Sequence, residues 1–317
     1  MADYKTLMEQ TIEPFLQKYR KEFWMERDDE KKIYCLRFRV KNPKAVVVIS
    51  HGFTENEEKY KENIYRFLKR NYSVYFMEHC GHGRSYRLVE DLSLVHIDRF
   101  ERYVDDFLML AHLAKVENPK VPIYVFGHSM GGGIAAAAVT KEPELFEKVV
   151  LSSPMIRLYT GKIPYHEARL AAKSCCMAGK AEHYVMGYEP YQGPKSVEHS
   201  SSMRQDQHDY YQNIRKAEPM FQTNAPSYGW MYEADRLNRY LRKYAAKNIK
   251  CPLLLFQAER EHLVSNKAQM RFILRLRKAG HRTAKLVHVR GSKHEAFNAT
   301  KRIREAFWRR VFLFLET

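Results

Sequence analysis

Six short apolar runs most strongly limit what this chain can fold into. They are KAVVVIS (44–50), YSVYFMEH (72–79), PIYVFG (122–127), KVVLSSP (148–154), PLLLFQAE (252–259) and KLVHVRG (285–291). A strand with one wet face alternates apolar and polar residues, whereas a strand covered on both faces does not. Near-continuous runs of this kind therefore predict a parallel sheet with helices on both sides. The intervening segments carry helical patterns. In IDRFERYVDDFLMLAHLAKVE (97–117), Phe100, Val104, Phe107, Ala111 and Ala114 fall on one helical face. KKIYCLRFRV (31–40) differs: Ile33, Cys35, Arg37 and Arg39 alternate with Tyr34, Leu36, Phe38 and Val40. A period of two predicts an antiparallel edge strand that opens the sheet.

The series stops after residue 155 and resumes at Cys251. The intervening stretch, including GYEPYQGPKSVEHSSSMRQDQHDYYQNIRK, has no strand-like run and is rich in Tyr, His, Met, Lys and Gln. The expected class is α/β, with a core over 1–155 and 247–317 and a mostly helical cap inserted over 156–246. A chain of 317 residues is long enough for that arrangement. No run approaches the roughly 18 apolar residues of a membrane span. The opening MADYKTLMEQ is too polar for a secretory signal. Cys35, Cys80, Cys175, Cys176 and Cys251 are odd in number and fall in no metal-ligand spacing, so a reducing cytoplasm is the expected compartment.

VFGHSMGGG (125–133) raises the chemical question. A serine hydroxyl is a weak nucleophile unless a base takes its proton and a third group orients the base. The pattern G-x-S-x-G between a strand and a helix makes a sharp turn that thrusts the serine outward. Here Gly127 and Gly131 flank Ser129, PIYVF supplies the strand, and the small-sided GGGIAAAAVT supplies the helix. The partners should follow in the order acid, then histidine, each after a strand. AEREHLVSN offers Glu259 and Glu261 after the PLLLFQ run, with Glu261 preferred; SKHEAF offers His294 after the KLVHVRG run. An oxyanion hole takes one N–H from the residue after the nucleophile, here Met130. The second comes from an earlier loop, where HGFTENEEKY places Phe53. Glu55 is a candidate brace for that loop, or else a solvated side chain.

HGFTENEEKY, MEHCGHGRS, FGHSMGGG, LLFQAEREHLV and GSKHEAF together resemble the monoacylglycerol lipase and lysophospholipase branch of the α/β-hydrolases. The resemblance implies an α/β-hydrolase fold with Ser129 as nucleophile, Glu261 as acid, His294 as base, and Phe53 and Met130 as oxyanion donors. Two positions depart from the pattern. A glutamate stands where much of the branch has an aspartate, and Glu78 replaces the aspartate of D-x-x-G-H-G-x-S. Neither a metal nor an organic cofactor is expected, because no ligand cluster and no phosphate-cradling glycine loop is present.

Charge bears on the substrate. Of a formal net charge of +17, residues 246–317 contribute 17 Lys and Arg against 5 Asp and Glu. Such a surface keeps a protein soluble, and it also attracts anionic lipid head groups. Nucleic acid is the weaker partner, since no recognisable nucleic-acid module accompanies the charge. The expected reaction is removal of the acyl chain from lysophospholipids through an acyl-enzyme. The alternatives are a monoacylglycerol lipase or another carboxylesterase and, from a different class, a non-catalytic hydrolase fold that binds membranes or nucleic acid through its basic surface.

Overall fold

A computed structural model of the chain describes residues 3–27 and 31–317. Eight strands form one sheet: β1 Arg20–Glu26, β2 Lys32–Phe38, β3 Val46–Ser50, β4 Ser73–Met77, β5 Ile123–His128, β6 Lys148–Ser152, β7 Leu253–Arg260 and β8 Ala284–Lys293. Their order across the sheet is β1-β2-β4-β3-β5-β6-β7-β8. β1 and β2 are antiparallel and β2 runs antiparallel to β4, while β4, β3, β5, β6, β7 and β8 are mutually parallel.

All six apolar runs are strands, and their composition follows from burial on both faces. Along β3, Val46 and Val48 join one core while Val47 and Ile49 join the other. The first core packs against helices α2 Phe100–Glu117, α3 Ser129–Lys141, α6 Tyr228–Asn248 and α7 Asn266–Lys278. The second packs against α1 Lys61–Leu68 and α8 Lys301–Glu316, where Trp308 stacks on Phe126 with ring centroids 5.8 Å apart. The five residues expected on one face of α2 are all buried.

One expectation is corrected. β2 is antiparallel, but it is not the edge: β1 covers it. Ile33, Tyr34, Cys35 and Leu36 are all buried, so its alternation reports two different cores and not one wet face. RKEFWME, the sequence of β1, carries no clear period of its own, and Trp24 stays half exposed at the true edge.

Between β6 and β7 the chain leaves the sheet for about a hundred residues. It forms α4 Tyr165–Met177, α5 Gln205–Ala217 and then α6. A two-residue ladder, Leu94–Val95 with Ala225–Pro226, ties this insertion to the loop before α2. Helix α6 has two duties. Its first turn offers Trp230 and Met231 to a cavity, while Leu237, Leu241 and Ala245 sit in the core beside α3. Among the described residues, no helix is long and apolar enough to cross a membrane.

Candidate active site

β5 ends at His128 and α3 begins at Ser129, whose φ of 52° lies in the left-handed region. A non-glycine residue held there stores roughly 1–3 kcal/mol of strain, which the surrounding packing must hold in place. The glycines make the turn possible. A Cβ on Gly127 would meet Ala135 Cβ and Gly131 O at 2.9 Å, and one on Gly131 would lie 2.2 Å from Ser50 O. The serine is thus pressed between the ends of β3 and β6, and its carbonyl accepts the Met155 N–H at 2.7 Å.

His294 stands on the loop after β8. Its Nδ1 lies 2.7 Å from Glu261 Oε2. A carboxylate only accepts, so Nδ1 carries the proton and Nε2 presents its lone pair. Among the described residues, that Nε2 is buried and has no hydrogen-bond partner. It belongs to the same cavity wall as Ser129. The loop is fixed from behind, where Ser153 Oγ donates to the His294 carbonyl at 2.9 Å. Glu261 is fixed too: its Oε1 accepts the N–H groups of Leu263 (2.8 Å) and Val264 (3.2 Å). Burial alone would raise this carboxyl, but the His294 contact and the two N–H donors hold it below its ordinary value. Glu259 points elsewhere, accepting the Gly291 N–H at 2.8 Å. Of the two acids open in the sequence, the structure brings only Glu261 to the histidine.

The loop after β3 carries Phe53, whose N–H donates to no backbone carbonyl among the described residues. Met130 lies in the first turn of α3, where N–H groups lack intrahelical partners. Met130 follows Ser129 in the chain, and Phe53 and Ser129 line the same cavity. Glu55 is a brace and not a solvated residue: it is buried, and its Oε2 accepts from Gly52 N–H (2.6 Å) and Tyr60 OH (2.6 Å). Desolvation opposes its ionisation, yet the Lys59 ammonium and the Tyr60 hydrogen bond hold its carboxyl well below the usual range. A Cβ on Gly52 would lie 2.6 Å from Glu55 Oε2, so any larger residue there displaces this carboxylate.

No local sequence pattern singles out Lys59 or Glu295. Lys59 bridges Glu55 Oε1 at 2.9 Å and Glu295 Oε1 at 2.5 Å. It thereby joins the loop after β3, which carries Phe53, to the loop that carries His294. His128, beside the serine, donates Nδ1–H to Ser152 O at 3.0 Å; burial pushes it down to about 4, so it is a neutral packing group at neutral pH. Glu78 accepts the Arg84 (2.6 Å) and Glu57 (3.2 Å) N–H groups, tying the GHGRS loop to the segment after β3. Its longer side chain reaches these donors because Gly83 leaves room, a Cβ there falling 2.1 Å from Glu78 Oε2.

A cavity of about 640 Å³ opens over Ser129 and His294. Segments 155–168 and 185–188 contribute Leu158, Tyr159, Ile163, Val185 and Met186, while segment 195–215 contributes Lys195, His199, His208, Gln212 and Arg215.

Residues 41–301 match the family described as Serine aminopeptidase, S33 (Hydrolase_4). The chain is 27% identical over 286 residues to lysophospholipase L2 of Escherichia coli K12, covering 86% of this chain and 83% of that protein. It is 36% identical over 123 residues to the monoacylglycerol lipase of Mycolicibacterium smegmatis, covering 39% and 42%. Its fold is similar to that of a soluble variant of Saccharomyces cerevisiae monoglyceride lipase, with a TM-score of 0.73, 16% identity, and 94% and 95% of the two chains covered. The elbow at Ser129 and the matched span lead to one conclusion: the chain is a serine hydrolase of the α/β-hydrolase fold and belongs to the Serine aminopeptidase, S33 family.

Proposed function

We propose that the chain hydrolyses the carboxylic ester of single-chain lipids, with lysophospholipids preferred to monoacylglycerols, and that residues 156–246 act as the cap. The observation carrying this reading is the mixed cavity over Ser129, apolar in the segments suited to an acyl chain and polar in the segment suited to a head group. The relatives named lysophospholipase and monoacylglycerol lipase support the same substrate class. The net charge of +17 favours the phosphate-bearing member of that class.

Ser129 Oγ attacks the ester carbonyl as His294 Nε2 takes its proton. The carbonyl oxygen becomes an oxyanion held by the Phe53 and Met130 N–H groups. Collapse breaks the bond to the alcohol, which leaves with the proton from His294, and the acyl group stays on Ser129. Water then gives its proton to His294 and attacks the acyl-enzyme. The fatty acid departs, and the proton returns to Ser129. Glu261 stabilises the imidazolium in both halves. A peptidase of the aminopeptidase type needs a free carboxylate for the substrate's ammonium. Among the described residues, the cavity's two carboxylates, Glu55 and Glu295, are both engaged by Lys59.

Work at an anionic membrane surface, on the cytoplasmic side, fits the exposed Ile163, Leu170, Met177, Met186 and Tyr188 of the insertion, interspersed with Lys162, Arg169, Lys173 and Lys180. The test is turnover of lysophosphatidylethanolamine against monoolein by purified protein. Faster turnover of the phospholipid is expected. A preference for monoolein overturns the head-group choice, and no turnover of either overturns the lipid reading.

A further inference from the structure

We propose that Lys195 and Arg215 form a seat for a phosphate group, which in the substrate reading above is the phosphodiester of the head group. Both side chains line the cavity over Ser129. Arg215, on α5, is buried at 6% exposure; its Nε donates to Phe221 O at 3.0 Å and its Nη2 to Thr223 O, and its guanidinium lies 4.7 Å from the Tyr191 ring centroid. Lys195 Nζ donates to Asn224 Oδ1 at 3.2 Å, so both cations anchor on the same short segment, 221–224.

None of these partners is anionic. Arg87 likewise donates only to carbonyl oxygens, but of the two only Arg215 lines the cavity. The remaining inward-facing arginines hold carboxylates. Arg20 pairs with Glu57, Arg27 with Asp106 and Arg204 with Glu62. A buried guanidinium without a carboxylate is costly unless a ligand supplies the charge. The two cations also feel each other: partial burial first, and the Arg215 charge second, push the Lys195 ammonium below its ordinary value. A third group points to a ligand independently. Gln212 is buried and lines the cavity, and its Oε1 has no hydrogen-bond partner among the described residues. A carbonyl oxygen in the same cavity wall as the two cations suits the hydroxyl or ammonium that neighbours a lipid phosphate.

Helix α5 connects the seat to the loop after β3. Tyr211 OH reaches Thr54 O, next to the oxyanion donor Phe53, at 3.5 Å. Arg215 follows four residues later on the same helix, about 6 Å further along. Helix α5 thus borders the loop that carries Phe53 at Tyr211 and carries Arg215 one turn further from it.

The test reads binding and not lipid turnover. An ether-linked lysophosphatidylethanolamine and an ether-linked alkylglycerol, neither of which can be hydrolysed, compete against p-nitrophenyl butyrate; inorganic phosphate is a third competitor. The phospho-ether is expected to inhibit with a Ki at least about tenfold lower than the alkylglycerol, as for a hydrogen bond to a charged group. Lys195→Met should bring the two Ki values to within about twofold of each other, and Lys195→Glu should reverse the order. These variants leave the Arg215 bonds that shape 221–223 in place, and melting curves check the fold. Equal Ki values in the wild type, or a difference that survives Lys195→Met, overturn the proposal. Inorganic phosphate as potent as the phospho-ether overturns the head-group assignment in favour of a free-anion site. Selective inhibition without any hydrolysis of the ester lysophospholipid supports the seat and overturns the substrate reading instead.

Discussion

Lys59 lies between Glu55, which holds the Gly52 amide, and Glu295, the residue next to His294. One ammonium therefore spans the two loops that must converge on Ser129. Its charge is held above the ordinary lysine range despite burial, because both carboxylates favour it. Lys59→Met leaves two buried carboxylates facing each other. Breaking a buried pair in this way costs about 3–5 kcal/mol, and a large fall in melting temperature is expected. A melting temperature unchanged from the wild type would refute the bridging role.

Gly52→Ala tests the oxyanion loop. The new Cβ would stand 2.6 Å from Glu55 Oε2, so the carboxylate and the following Phe53 amide must shift. Loss of one aligned donor lowers kcat by about 10²–10³. Steady-state kinetics on p-nitrophenyl butyrate should show that fall in kcat with the fold retained.

Glu261→Gln keeps the shape and loses the charge behind His294, and an amide can present N–H₂ where the imidazole needs an acceptor. Replacing the acid of such a triad by its amide has cost about 10⁴ in kcat, and a loss of that order is expected here. Glu259→Gln, whose carboxylate touches only the Gly291 amide, should stay within about twofold of the wild type, as for exposed changes away from a reaction centre. The reverse pattern would move the acid to Glu259.

The Glu78 carboxyl gives a pH signature. Burial raises it from 4.5 to about 7, against the pull of the Arg84 amide and charge. The folded state thus holds a proton that the unfolded state releases at lower pH. The stability this contributes is complete below about pH 4.5 and is lost as pH rises through about 7. Glu78→Gln cannot titrate, so its melting temperature relative to the wild type should climb between those two values. A constant difference would contradict the assignment.

What could be read from the sequence follows from locality. The six runs were legible because each strand is buried on both faces, and the elbow because its glycines and its serine are adjacent in the chain. β1 was hidden: RKEFWME is half exposed at the edge and borrows its register from β2. The choice between Glu259 and Glu261 depended on the register shift after Val289, near where the Gly291 amide meets Glu259. Lys59 and Glu295 are 236 residues apart, and no local pattern announces such a pair. Arg215 is one of 54 basic residues in the sequence, and only its place in the cavity wall, with carbonyl oxygens and no carboxylate as its hydrogen-bond acceptors, distinguishes it.

The account rests on an activated Ser129, and covalent labelling by a fluorophosphonate probe followed by peptide mapping tests it most directly. Wild-type protein should carry the label on Ser129 alone, Ser129→Ala should carry none, and His294→Ala should be labelled slower by several powers of ten. Wild-type protein that takes no label, or a label that persists in Ser129→Ala, would contradict it and leave a basic binding module in place of an enzyme.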